Sequence, residues 1–390
     1  MLAALWGAAA YLLWGTRVPA DLRVPDVDAE KLVGAAVVER AERYELFYRV
    51  EFVLSTLVLL AVLVAYARWG HRFARESAAG RIGTGMLLGM LGFAFVWLSQ
   101  VPFRLAEVWW DRRYDQTDSG YVETLFANWF QLGAEFLFVS FALVVVMALA
   151  GWFPRRWWIA AAPFFIGLSA LFAFVMPYLS FTDPLDDPRL AADAKTYARA
   201  QGIDPVPVRV EDVSDFTNNP NAYAVGFGPT KQIVLWNTLL DGRFSDGEVR
   251  VVLAHELGHH SRHHIPKGIA WYALFALPGA WLIAVATRRR GGMADPAAVP
   301  VSLLVLVALN LVAAPLYNVI SRRLETEADW MALETTRDPA SARGLFRAFS
   351  KESLDDPDPP TWAYVVFDTH PTTEQRIELA EAWRRRNASR

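Results

Sequence analysis

Val251-Val-Leu-Ala-His255-Glu256-Leu-Gly-His259-His260 places two histidines four residues apart, with a glutamate directly after the first. On a helix, positions i and i+4 lie one above the other, so His255 and His259 present two imidazole nitrogens to one tetrahedral Zn²⁺. Glu256 points about 100° round the helix from His255. There its carboxylate reaches a zinc-bound water without filling a coordination position, as a general base for hydrolysis must. The preceding Glu248-Val-Arg-Val-Val-Leu-Ala reads as a buried helix that carries the motif. The plain alternative is a helix with two solvated histidines, and a third ligand decides between the two.

A metzincin would need glycine at 262 and histidine at 265, but Arg262 and Ile265 stand there. A carboxylate from a later helix is the other source, and Ser321-Arg-Arg-Leu-Glu325-Thr-Glu-Ala-Asp329-Trp offers one. Glu325 and Asp329 share a helical face, so Glu325 is expected to bind zinc while Asp329 accepts the outer N–H of a ligand histidine and fixes its aim. Taken alone, Glu325, Glu327 and Asp329 would read as a solvated acidic turn. Beside His255 and His259 the ligand reading prevails, with one Zn²⁺ per chain.

Composition places this chemistry in a membrane. The 390 residues are 54% hydrophobic, with 16 Trp and 24 Phe, and mean hydropathy is +0.20. Runs without Asp, Glu, Lys or Arg cover residues 52–67, 82–103, 136–154, 157–182, 268–287 and 296–321. Several reach the ~20 residues that cross a bilayer as a helix, and the first and third do so with adjoining residues. Residues 1–15 are apolar too, and read as a short or tilted first span rather than a cleaved signal, which gives about seven spans. The expected organisation is a membrane domain over 1–182, the first part of a zinc protease domain over 183–267, two further transmembrane helices over 268–321, and a C-terminal part with the third ligand over 322–390. The absence of cysteine excludes disulfides, thiolate metal sites and cysteine nucleophiles. No basic, aromatic-interleaved patch points to nucleic acid.

The connectors are charged. Residues 17–45 begin as a loop with Pro19 and Pro25, and residues 28–49 read as an amphipathic helix feeding the next span. The basic connectors 68–81, 155–156 and 288–290 fall on one side if seven spans alternate, and the positive-inside rule makes that side cytoplasmic. Glu51, Glu107 and Glu135 lie at or just inside span ends, facing either an aqueous interior or the interface. After Thr182 the chain turns polar. Residues 188–202 read as a helix with apolar Leu190, Ala194, Tyr197 and Ala198. Residues 206–210 read as a strand whose Pro207 suggests a sheet edge. Residues 218–228 and 231–236 read as a hairpin closed by Gly228-Pro-Thr. A strand edge beside the zinc helix either binds an extended peptide by β-augmentation or simply covers that helix.

His255-Glu256-x-x-His259, Glu325-x-x-x-Asp329, the Asn221-Ala-Tyr segment and His370-Pro-x-x-x-x-Arg376 together resemble the integral-membrane type I CAAX prenyl protease family and its HtpX-like relatives, which are gluzincins. The resemblance is strong over 191–380 and weak over the N-terminal spans. It implies a mainly α membrane fold, a chamber ringed by the spans, and a gluzincin-type domain with a small β-sheet edge closing one end. It also implies that Asn221 and Ala222 hold substrate backbone, and that His370 and Arg376 act near the scissile carbonyl or the substrate's C-terminal end. A donor at His370 agrees with stabilisation of a tetrahedral oxyanion, while the other reading places His370 in the N-cap region of a helix over 372–386. Eukaryotic members imply catalysis on the cytosolic face, the reverse of what loop charge gives here.

His260, His263 and His264 crowd the zinc helix. His263 would continue its i, i+4, i+8 face, and Pro266 is expected to stop it. Two function classes follow. One is a membrane zinc endopeptidase acting on CAAX-like peptides, prenylated or not, or on other membrane-associated peptides, or an HtpX-like quality-control protease. The other is a non-catalytic scaffold or transporter with structural zinc. A structural site closes with four protein ligands, whereas three are evident here, and Glu256 has no use in a scaffold.

Overall fold

A computed structural model describes residues 2–75 and 79–388. The chain opens with α1 (Leu2–Leu13) and α2 (Ala29–Val33). Four long helices follow, α3 (Ala35–Trp69), α4 (Gly80–Arg113), α5 (Tyr121–Trp152) and α6 (Trp157–Leu179). A mixed segment comes next, with β1 (Asp183–Pro184), α7 (Pro188–Ala200), β2 (Val208–Glu211), β3 (Ala222–Val225), β4 (Gln232–Trp236) and α8 (Asp246–Ser261). Two more long helices, α9 (His264–Thr287) and α10 (Val299–Thr336), lead to α11 (Pro339–Glu352), α12 (Thr361–Phe367) and α13 (Thr373–Ala388).

Among the described residues, six helices are long and apolar enough to cross a membrane, namely α3, α4, α5, α6, α9 and α10 with their extensions. Residues 1–15, read above as a possible seventh span, form only the 12-residue α1 among the described residues. At 1.5 Å per residue it is ~18 Å long, short of a ~30 Å hydrocarbon core. Helices α3, α4, α5 and α6 carry large apolar side chains such as Leu57, Leu98, Leu137 and Phe172, each more than half exposed, a surface that suits lipid and not water. Pro102, Pro163, Pro177, Pro278 and Pro315 lie inside these helices, as membrane helices tolerate.

The six pack as a closed ring, each against the next in the order α3, α4, α5, α6, α9, α10 and back to α3. One end of the ring is sealed by Leu63, Tyr66, Leu88, Leu143, Met147, Trp157, Met293 and Leu303. Gly92 is required there, because a Cβ on it would meet the Tyr66 ring at 2.7 Å. The described parts of the basic connectors lie at this end.

At the other end sits a second core, formed by α7, α8, α11, α13, the sheet and the tip of α10. The sheet order is β1-β2-β4-β3, with β2 parallel to β4 and β3 antiparallel to it. The hairpin expected over 218–236 is present as β3 and β4. The edge expected at β2 is not: β2 lies between β1 and β4, and Pro207 precedes the first ladder residue, so no ladder N–H is lost. The edges are the two-residue β1 and, on the side of α8, β3. The amphipathic helix expected over 28–49 is broken at Gly34, whose φ of +98° suits glycine. Asp28 caps the short α2, and α3 then runs unbroken into the span.

Candidate active site

α8 begins with a capping box, in which Ser245 Oγ accepts the Glu248 N–H at 3.4 Å and Glu248 Oε2 accepts the Ser245 N–H at 2.8 Å. Val249, Val252, Leu253 and Leu257 bury the helix in the lobe core. Gly258 sets how near α10 can come: a Cβ there would lie 3.2 Å from Ala328 Cα. Glycine in a helix interior costs ~1 kcal/mol, and here the return is a helix contact close enough to face two histidines with two carboxylates. α10 is one helix of 38 residues, so the same rigid rod that crosses the ring carries Glu325 and Asp329 to that contact.

One ligand atom from each of His255, His259 and Glu325 falls within 4.8 Å of the others. His255 Nε2 is 3.1 Å from Glu325 Oε2 and 3.0 Å from His259 Nε2, and His259 Nε2 is 3.6 Å from Glu325 Oε1. Asp329 Oδ1 lies 2.8 Å from His255 Nδ1, as the i, i+4 spacing led us to expect. Glu256 is buried one residue on, and burial pushes its pKa up despite the two histidines. His370 Nε2 stands 3.3 Å from Glu325 Oε2. Its side chain is 57% exposed, yet enough protein encloses it that desolvation lowers its pKa, so it borders a confined space beside the cluster.

Asn221 and Ala222 stand where β3 begins. The Asn221 carbonyl accepts the Trp236 N–H at 3.0 Å, and its Oδ1 accepts the Ala222 N–H at 2.8 Å. A cavity of about 110 Å³ opens between the end of β3 and His259, bordered by Phe227, Lys231, His263 and Ile265.

Three expectations need correcting. Arg376, placed near substrate from the sequence, donates from Nε to Asp329 Oδ2 at 2.8 Å and from Nη2 to Asp329 Oδ1 at 2.7 Å, with its guanidinium 4.2 Å over the Phe346 ring. It therefore stands behind the cluster, because a buried carboxylate that already orients a histidine needs a counter-charge. His263 does not continue the zinc-helix face, since α8 ends at Ser261 and His263 turns the chain at φ +56°. Pro266 does not stop a helix. It sits in the first turn of α9, where no N–H is required.

Two residues acquire partners that spacing could not reveal. His264 Nδ1 is 3.0 Å from His259 Nδ1, and His264 Nε2 is 3.1 Å from Glu327 Oε2. His260 instead turns away to the Gln232 carbonyl at 2.9 Å, and burial depresses its pKa to about 4. The only sequence signal for His264 was its place in a histidine-rich run.

A ring of membrane helices and an HExxH helix facing a Glu-x-x-x-Asp helix define an integral-membrane protein of the metallopeptidase class. Residues 184–384 match Peptidase family M48, and the chain belongs to that family. It is 28% identical over 275 residues to the "Uncharacterized metalloprotease YhfN" of Bacillus subtilis, a match covering 65% of this chain and 64% of that one, so the chain spans just under two thirds of that relative. It is 34% identical over 113 residues to CAAX prenyl protease 1 of Saccharomyces cerevisiae, covering 28% of this chain and 25% of the yeast protein. The crystal structure of S. mikatae Ste24p shares the fold, with a TM-score of 0.75 at 18% identity over 97% of both chains.

Proposed function

We propose that this protein is a zinc endopeptidase that cuts extended, membrane-associated peptides near their C-termini, CAAX-like ones among them. One observation carries the reading. The Nε2 atoms of His255 and His259 and the carboxylate of Glu325 converge, while the outer Nδ1 of each histidine faces another partner. Two imidazole nitrogens 3.0 Å apart beside a carboxylate must share a proton or a metal ion, and with the outer Nδ1 atoms already engaged a metal satisfies all three groups at once. This donor set of two imidazoles and one carboxylate fits Zn²⁺ with one position left for chemistry. Bound there, Zn²⁺ would act as a Lewis acid and make water nucleophilic near neutral pH.

The chain's own groups supply the remainder. Glu256 takes the proton from the attacking water and later returns it to the leaving amine. Neutral His370 donates toward the oxygen that gains charge at the scissile carbonyl. Asp329, with Arg376 behind it, fixes the tautomer and aim of His255. The free edge of β3 pairs with substrate backbone, Asn221 and Ala222 marking its start. The closed ring of spans, sealed at the end away from His255, supports a chamber that admits terminal or unfolded segments.

Purified protein should contain one Zn²⁺, and Glu256→Gln should retain it while peptide hydrolysis falls by about 10²–10⁴-fold. Hydrolysis near wild type in Glu256→Gln would assign the base elsewhere. Mass spectrometry of matched peptides with and without a farnesyl group tests the substrate class. A buried chain contributes ~0.8 kcal/mol per CH₂, so a prenyl-processing enzyme gains strongly in kcat/KM. Equal kcat/KM for both peptides would leave an HtpX-like general membrane protease.

A further inference from the structure

We propose that His264, backed by Glu327, is the positioning partner of His259, so that each ligand histidine is aimed by its own relay to a carboxylate on α10. The proposal rests on the zinc reading above and adds residues to it. Asp329 meets His255 directly. Glu327, two residues earlier, meets His259 through one intervening imidazole ring.

The tautomers follow from the groups at the two ends. Glu327 is fully buried and accepts four donors: the Arg17 N–H at 2.8 Å and Arg262 Nε at 2.9 Å on Oε1, with His264 Nε2 at 3.1 Å and Lys267 Nζ at 3.3 Å on Oε2. A carboxylate so held only accepts, so His264 Nε2 carries the proton. Because the zinc reading needs the Nε2 lone pair of His259, the proton of that ring sits on Nδ1, and the facing Nδ1 of His264 accepts it at 3.0 Å while its Nε2 donates to Glu327. His259 Nε2 is the atom that faces His255 and Glu325. The opposite tautomer would aim an N–H into the cluster and remove a ligand.

The αL turn at His263 makes this contact. It ends α8 and starts α9 in a new direction, so that residue 264 returns over the ligand that residue 259 presents. A non-glycine residue in this conformation is uncommon and is kept where the surroundings demand it.

The test uses the full chain purified in detergent. Zinc affinity is measured by chelator competition, and ligand geometry by the visible absorption of the Co²⁺-loaded protein. His264→Phe keeps a ring and loses both nitrogens, and zinc affinity should fall about 10–100-fold with displaced cobalt bands. His264→Asn, whose amide oxygen stands near the former Nδ1, should restore most of the affinity and the bands. His264→Ala carries the same expectation as His264→Phe should the latter fail to fold, with the thermal midpoint of metal-free protein as the control for folding. Wild-type affinity and spectrum in His264→Phe or His264→Ala would overturn the proposal, as would equal losses in the Asn and non-polar variants. Failure of the wild-type chain to bind zinc would instead overturn the underlying metal site.

Discussion

The sealed end of the helical ring and the metal end are both buried, but they are held by different forces. Leu63, Tyr66, Leu88, Leu143, Met147 and Leu303 close the first by apolar contact, which is non-directional and tolerates exchange of one hydrophobic shape for another. At the second, Asp329 meets His255 and Arg376, and Glu327 meets Arg262, His264 and Lys267, each at hydrogen-bond distance and inside protein. There a missing partner leaves a desolvated charge, so every member depends on the next. The ring thus determines where the site stands, and the polar network determines what it can bind.

The largest effect that would sharpen this contrast is expected for Glu325→Ala. Elemental analysis of the purified variant should show zinc falling from one per chain to near zero, while carbonate extraction still finds the protein integral to the membrane. Full zinc content in the variant, or loss of membrane integration, would break the contrast.

Within the ring, position should matter more than residue type. Leu63→Ala, at 2% exposure in the sealed end, should lose about 2–5 kcal/mol of stability, with the folded fraction still binding metal. Leu57→Ala, on the same helix at 60% exposure, should stay within about 0.5 kcal/mol. Equal thermal shifts for the two would mean that the outward face packs against something more than lipid.

The smallest effect concerns the seam between the two regions. Arg49 of α3 bridges Glu45 at 2.5 Å and Asp356 at 2.6 Å, tying the ring to the segment after α11. Beside that bridge, Asp355 keeps surface exposure yet is crowded by protein, and this desolvation followed by the charges of Glu45 and Asp368 pushes its pKa from 3.8 up to about 7. The folded state therefore holds this proton more tightly than the unfolded chain does. The resulting stability is full below about pH 4 and is lost as pH rises toward 7. Asp355→Asn should raise the thermal midpoint above pH 7, with a gain that disappears near pH 4. A gain independent of pH would show that the carboxyl does not titrate in this window.

The pairs His255/His259 and Glu325/Asp329 were legible in the sequence because the spacing within each is local, set by the 3.6-residue period that puts i and i+4 on one face, while the approach of one pair to the other spans 70 residues and belongs to the packing of α8 on α10. The spans were legible because length and apolarity suffice to cross hydrocarbon. Asn221-Ala-Tyr and His370-Pro-x-x-x-x-Arg376 were found by resemblance, without a physical rule that fixes their positions. Tertiary structure alone decided the remainder. Whether Arg376 reaches substrate or Asp329 depends on how α13 docks against α10. Which strand forms the edge beside α8 depends on the order β1-β2-β4-β3, in which β2 and β4 pair in parallel and leave β3 outermost on that side. The pairing of His264 with His259 depends on one αL residue that bends the chain between two helices, where helical periodicity has no reach. Local spacing could supply the ligands, but only long-range packing could supply the groups that aim them.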